Sequence, residues 1–141
     1  MKKIVNKFAT VTEAKSANES FARQIVSAFA SQLDPTVDAL ADIKTAVSEA
    51  VTNCIVHAYK NERGKIYISA SYDEDRVFTV SIKDRGCGIE DVEKAIEPLY
   101  TTDSSGERSG MGFAIMASFM DKLTVKSKPG LGTKVVMKKK L

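Results

Sequence analysis

The strongest constraint on this chain is a change of apolar period near its middle. Leu40, Ile43, Val47, Ala50, Val51, Cys54, Ile55 and Ala58 recur at helical intervals as far as Tyr59, which predicts one long amphipathic helix with a single buried stripe. Beyond the turn-forming Asn61-Glu62-Arg63-Gly64, Ile66, Ile68, Ala70 and Tyr72 alternate with polar neighbours, and Phe78, Val80 and Ile82 do the same after Asp73-Glu74-Asp75. That period belongs to strands covered on one face, and the acidic turn joins them as an antiparallel hairpin. A one-striped helix and a one-faced hairpin bury their apolar surface against each other, so the fold class is α+β, with helices layered on one face of the sheet.

The flanking segments extend the pattern. Lys3 to Val11 alternates weakly, with Ile4 and Phe8 on one side, and reads as an edge strand. Ser16-Ala17-Asn18-Glu19 has capping-box spacing ahead of a helix whose stripe would be Phe21, Ile25, Ala28, Phe29 and Leu33. Asp34-Pro35 is expected to start the long helix, with Asp as cap and Pro at the first helical position. Glu90 to Glu97 predicts a short helix stopped by Pro98, followed by a polar stretch through Ser109 that resembles a lid. Phe113, Ile115, Met116, Phe119 and Met120 give another amphipathic helix, and two further strands flank Pro129-Gly130-Leu131-Gly132. Residues 1–141 are expected to form a single domain.

Composition narrows the function classes. With 43% hydrophobic and 28% charged residues the chain lies in the ordinary globular range. A net charge of +3 and the run Lys138-Lys139-Lys140 are read as a solvated strand end, so no direct nucleic-acid partner is expected. Cys54 and Cys87 form no C-x-x-C unit, and a single histidine leaves too few ligands for a zinc site. Reduced thiols are expected. Met1-Lys2-Lys3 is basic, yet Asn6, Lys7 and Thr10 interrupt any signal-peptide core, and no window is apolar enough for a span. The expectation is a cytoplasmic protein with no membrane partner.

Three constellations carry possible chemistry. Glu49 and Asn53 lie four apart on the long helix and share one face. The carboxylate can take a proton or orient a water, and the carboxamide oxygen suits magnesium; alone, the pair is equally a solvated helix face. Asp84-Arg85-Gly86-Cys87-Gly88 follows a strand, where the aspartate can accept from an exocyclic amine such as adenine N6 and the glycines admit close backbone approach. An ordinary Asp/Gly turn reads the same way. Ser109-Gly110-Met111-Gly112 opens a helix and could present amides to phosphate oxygens, or be purely structural. Rossmann and P-loop patterns are absent.

Taken together and in this order, Glu49 to Asn53, Asp84-x-Gly86-x-Gly88, Gly110-x-Gly112 and Gly132-Thr133 resemble the N, G1, G2 and G3 boxes of the GHKL ATPase superfamily. The likeness covers nearly the whole chain. It narrows to the small anti-sigma serine kinases, most closely their sporulation branch, through Asn18-Glu19-Ser20-Phe21-Ala22-Arg23, Val47-Ser48-Glu49-Ala50-Val51-Thr52-Asn53 and Glu107-Arg108-Ser109-Gly110-Met111-Gly112-Phe113.

The resemblance implies a two-layer α/β sandwich of Bergerat type with a mixed, mostly antiparallel sheet, an ATP/ADP site with Mg2+, and a homodimer. It implies a sigma factor of the sporulation sigma F type as one partner, and an anti-anti-sigma factor phosphorylated on serine as the other. By the same resemblance Glu49 is the general base and Asn53 holds magnesium. Asp84 reads adenine, with Gly86, Gly88 and Thr133 shaping the pocket and His57 and Ala58 lining it. Thr101, Thr102 and the Gly110, Met111 and Gly112 backbone meet the phosphates. Arg108 touches the γ-phosphate and the anti-anti-sigma partner, and Arg23 binds partners. Two other readings share the fold: a histidine-kinase catalytic domain, which needs a phosphoacceptor hairpin that this chain lacks, and a nucleotide-gated sigma-binding module without kinase activity.

Overall fold

The computed structural model describes residues 2–96 and 112–141. The expectations for Thr101, Thr102, Arg108, Gly110 and Met111, and for a lid from Thr101 to Ser109, fall outside those residues. Strands β1 (Ile4–Glu13), β2 (Lys65–Asp73), β3 (Val77–Lys83), β4 (Lys122–Lys128) and β5 (Gly132–Lys140) form one sheet in the order β1-β2-β3-β5-β4. Helices α1 (Ala17–Ala30), α2 (Val37–Thr52), α3 (Val92–Ile96) and α4 (Gly112–Phe119), with a 3₁₀ turn at Ser31–Leu33 and a π-helical turn at Asn53–Ala58, complete the described elements.

The expected two-layer sandwich with a mostly antiparallel sheet is present, and among the described residues every pairing is antiparallel, so no parallel pair makes the sheet mixed. The reason lies in the connections. Two helical passes separate β1 from β2, so β2 returns against β1, and β2 and β3 are joined by a tight turn at Asp73 to Arg76. β3 and β4 run the same way, but β5 inserts between them and pairs with both. The β2–β3 hairpin forms as expected, with Tyr72 opposite Phe78 and Ile68 opposite Ile82. β1 is the edge strand, extended two residues beyond Val11 and interrupted by an irregularity between Ile4 and Asn6.

Ile66, Ile68, Phe78, Val80, Ile82 and Met137 meet Ile43, Val47 and Val51 of α2, all essentially inaccessible to solvent. Phe29 of α1 sits edge-on to Phe8 at 4.9 Å and beside Tyr72 at 5.4 Å, which ties α1 to β1 and β2.

The first helix departs from expectation in cap and face. Ser16 is itself helical and makes no side-chain cap bond. Glu19, which a capping box would turn back, instead accepts from Ser48 Oγ at 2.9 Å and pairs with Arg23 at 3.4 Å. The buried stripe is Ala22, Val26, Phe29, Ala30 and Leu33, whereas Phe21 and Ala28 are exposed and Ile25 is half-buried. The face is rotated by one residue because the close α1–α2 contact selects small Ala22 and Ala30 over the larger Phe21.

The second helix begins at Val37, not at Asp34-Pro35. Asp34 is left-handed (φ 53°), a conformation incompatible with an N-cap, and closes the short 3₁₀ turn Ser31–Leu33. Thr36 is extended and its Oγ1 accepts from Ala39 N–H at 3.1 Å. The terminal lysines also differ from a uniformly solvated end. Lys139 points inward, 3.4 Å from Asp42 and donating to the Phe119 carbonyl at 2.8 Å.

Candidate nucleotide site

The apolar helical period that runs to Tyr59 conceals a change of winding. After Thr52, α2 passes into a π-helical turn at Asn53–Ala58, and Tyr59 N–H bonds back to the Cys54 carbonyl at 3.0 Å. Wider winding of this kind re-aims side chains and often accompanies functional sites. Here it forms one wall of a cleft of about 790 Å³ whose lining includes Asn53, His57, Ala58, Asp84, Gly88 and Thr133.

Asp84 is the most constrained polar group of that cleft. It leaves β3 with its carboxylate buried, Oδ1 accepting from Gly86 N–H at 2.9 Å and Thr133 N–H at 3.2 Å. Its own N–H donates to the Thr133 carbonyl at 2.9 Å, so the loop after β3 and the start of β5 are joined through one residue. Burial raises its pKa above the ordinary carboxylate value, opposed by hydrogen bonds from Gly86, Cys54 and Thr133. Cys54, one turn along from Ala50, is a free buried thiol close to this carboxylate. Burial, then the charge of Asp84, pushes that thiol well above its usual range, so it stays protonated and is no nucleophile. A carboxylate offers about four lone-pair sites, which leaves acceptor capacity toward the cleft for an N–H donor such as an exocyclic amine.

The loop that carries Asp84 is held on three sides. Cys87 N–H bonds to the Ala58 carbonyl at 3.0 Å, which lays Gly86 against the π-helical turn. Gly88 has φ +76°, and a Cβ there would lie 2.0 Å from the Lys128 carbonyl oxygen, so this position requires glycine for both conformation and space. Tyr59 forms the third tie, its hydroxyl accepting from Arg85 N–H at 2.7 Å and donating to the Lys65 carbonyl at 2.6 Å. Burial raises the Tyr59 pKa, which keeps that hydroxyl protonated.

Thr133 shares its Oγ1 with Ser127 Oγ at 2.7 Å, and Ser127 also accepts from Ile89 N–H at 2.8 Å. Ser127 carries no signal of its own in the sequence, because a serine on an alternating strand is ordinary until its partners are known. Cys54 reads in the sequence as part of the buried helical stripe, and Tyr59 only as the place where that stripe ends. Cys87 is exposed, with its thiol 3.4 Å from the His57 carbonyl.

Asn53 and Gly112 meet across the cleft floor, where a Cβ at Gly112 would lie 3.0 Å from Asn53 Nδ2 and 3.1 Å from Oδ1. The carboxamide therefore stands at the first residue of α4. No group of three or more His, Cys, Asp or Glu side chains among the described residues could hold a metal ion. The oxygen donor at Asn53 fits magnesium carried by a polyphosphate, since that ion keeps several waters and takes few protein ligands. Glu49 is buried one turn before Asn53, but is not among the described residues that line the cleft. Arg23 lies apart on α1, engaged with Glu19 and with Ser20 Oγ at 3.3 Å. The Glu19–Ser48 bond places that arginine's network one residue from Glu49.

Comparisons with known proteins agree with this geometry. Residues 12–139 match the family described as the histidine kinase-like ATPase domain. An anti-sigma F factor of Caldanaerobacter subterraneus subsp. tengcongensis is 60% identical over 89% of this chain and 87% of its own length. One from Clostridium acetobutylicum is 56% identical over 96% and 94% respectively. Among solved structures, the RsbU and RsbW domains of Rv1364c from Mycobacterium tuberculosis superpose over 97% of this chain with a TM-score of 0.67 at 17% identity. This chain spans 32% of that longer one. The histidine kinase domain of the Erythrobacter litoralis EL346 blue-light activated histidine kinase superposes over 87% of this chain and 60% of its own, with a TM-score of 0.57 at 21% identity. No helix among the described residues is long and apolar enough to cross a membrane. The chain belongs to the histidine kinase-like ATPase family and, within it, to the anti-sigma F factors.

Proposed function

We propose that this chain is an ATP-dependent anti-sigma factor that sequesters a sigma factor of the sigma F type and phosphorylates an anti-anti-sigma protein on serine. The observation that carries the reading is convergence. Asn53, Asp84, Gly88 and Thr133, drawn from three separated segments, line one cleft, and Gly112 meets Asn53 at its floor. The names of relatives at 54–60% identity support the partner class.

In this reading Asp84 accepts from the adenine amine, and Thr133, held by Ser127, borders the ring. The bound Mg-ATP supplies the γ-phosphoryl group, with Asn53 as the protein's oxygen donor to the metal. Thr101, Thr102 and the backbone of Gly110, Met111 and Gly112 serve the phosphates, and His57 and Ala58 form the cleft wall. Glu49 would take the proton from the incoming serine hydroxyl as its oxygen bonds to the γ-phosphorus, the bond to the β,γ-bridging oxygen would break with ADP as leaving group, and Arg108 would neutralise charge on the transferring group. Transfer of this kind depends mainly on position and charge neutralisation, so one base, one amide and one arginine suffice. Arg23 presents the sigma-binding surface, with two chains forming a homodimer and the whole of residues 1–141 acting as one domain.

The test is transfer of label from γ-labelled ATP with magnesium to the anti-anti-sigma protein, comparing the intact chain with Glu49→Gln. The expected result is loss of transfer in the variant by about 10²- to 10⁴-fold with nucleotide binding retained. No transfer from intact protein that binds ATP and sigma factor would overturn the kinase assignment and leave a nucleotide-gated binding module.

A further inference from the structure

Strands β3, β4 and β5 contain no acidic residue. Alternation puts their even-numbered residues in β4 and β5, and odd-numbered ones in β3, on the face away from the helices, because Phe78, Val80, Ile82, Val135 and Met137 are buried on the other. Lys83, Lys122, Lys126, Lys128, Lys134, Lys138 and Lys140 share that outer face, and all are exposed. The register sets them directly against one another. Lys134 lies opposite Lys83 on one side and Lys126 on the other, and Lys138 lies opposite Lys122. Like charges in facing positions destabilise a sheet, and none of these lysines has an ion-pair partner among the described residues.

The lysines are not spread over a featureless surface. Lys83, Lys126, Lys128 and Lys134 line a depression of about 480 Å³, together with Val92, Val125 and the exposed Leu131 at the tip of the β4–β5 turn. The single acid among the lining residues, Asp84, is buried and committed to Gly86 and Thr133. A net charge of +3 therefore understates the local field, which is cationic around an apolar patch.

We propose that this depression is a docking site for an acidic polypeptide segment carrying an apolar side chain between its carboxylates. Charge complementarity selects an anionic partner, and the apolar lining selects a peptide. A phosphate backbone would leave Val92, Val125 and Leu131 unused, and the sheet face offers no free aromatic platform for bases, since Tyr67 is covered by Arg85 with its guanidinium 4.9 Å from the ring centre. One exposed leucine is too little apolar surface to anchor on a bilayer. The depression shares Asp84 and Thr133 with the wall of the nucleotide cleft, so an occupant here would contact the strand ends that frame the adenine side.

The test is titration of the isotope-labelled full chain with a short synthetic peptide of Asp, Glu and Leu, followed by backbone amide shifts. The same titration is run with oligothymidylate and with phosphatidylglycerol vesicles. The expected result is saturable shifts confined to Lys83 and to residues 125–134, abolished by high salt and weakened about tenfold or more by Lys126→Glu with Lys134→Glu. The double substitution exchanges one facing like pair, 126 with 134, for another and makes position 134 opposite in sign to Lys83, so the variant is expected to stay folded, and retained binding of a fluorescent ATP analogue confirms it. Absence of shifts in that region, an unaltered affinity in the folded variant, or tighter binding of the oligonucleotide or vesicles at the same residues would overturn the proposal.

Discussion

The junction between β5 and the loop after β3 makes a sharp prediction, because two glycines two residues apart differ in what surrounds them. Gly132 has φ +109°, and a Cβ built there would lie 2.2 Å from the Asp84 carbonyl oxygen and 2.7 Å from Arg85 Cα. Gly130 is also left-handed, at φ +78°, yet a Cβ there meets nothing within 4 Å. Gly130→Ala should therefore carry only the local conformational cost, about 1–2 kcal/mol. Gly132→Ala adds backbone overlap that no side chain can relieve. Strain of about 1–3 kcal/mol and overpacking of about 1–3 kcal/mol sum to roughly 2–6 kcal/mol. With a urea slope of about 2 kcal/mol per molar, the midpoint falls by about 1–3 M for Gly132→Ala and by about 0.5–1 M for Gly130→Ala. Relief of the overlap must separate β5 from Asp84, whose carboxylate accepts from Thr133 N–H, so nucleotide affinity should drop in Gly132→Ala at temperatures where the protein is still folded. Equal midpoints for the two variants would refute the reasoning that backbone contact, rather than turn conformation, sets the role of Gly132.

Asp84→Asn should separate stability from binding: the amide oxygen can still accept from Gly86 and Thr133, while a hydrogen bond to a charged acceptor worth about 1.5–3 kcal/mol is lost, weakening ATP binding about 10- to 150-fold in a fluorescence titration. The raised pKa sets a sign for pH dependence. Because the folded state holds the proton more tightly than the unfolded chain, stability linked to Asp84 is present at low pH and is lost as pH rises from the ordinary carboxylate value through the raised one. Thermal melts should show intact protein losing stability relative to Asp84→Asn across that window, and a flat difference would contradict the assignment. Tyr59→Phe removes the hydroxyl that joins Arg85 N–H to the Lys65 carbonyl, and chemical denaturation should show a loss of about 1–3 kcal/mol.

How much of this was legible beforehand depends on whether a feature is recorded in spacing or in contact. The β2–β3 hairpin and the core of α2 were legible because burial on one face imposes period 2 or 3.6 on the residues themselves. The α1 face was misread by one position because hydrophobicity favours Phe21, whereas the distance between packed helices favours Ala22 and Ala30, and that distance is not a property of α1 alone. Ser16 and Asp34 were misread as caps for a related reason. Both have the right chemistry, but Glu19 finds a better partner in Ser48, and the left-handed turn at Asp34 passes the cap to Thr36. Near the cleft, the placement of Asp84 and Gly88 in a loop at a strand exit was legible because the Asp-x-Gly-x-Gly spacing follows an alternating apolar strand. Ser127, Tyr59 and Cys54 were not, since each acts by holding another residue in place and carries no spacing of its own. The same distinction explains the lysine face. Taken singly, β3 merely ends in one lysine, β4 spaces three along its length and β5 closes on a short run, and only the β3-β5-β4 order sets Lys83, Lys134 and Lys126 in a row. A cluster made by topology is invisible to any window along the chain, so charges that look like scattered solubilising residues in sequence become a concentrated field once the sheet is assembled.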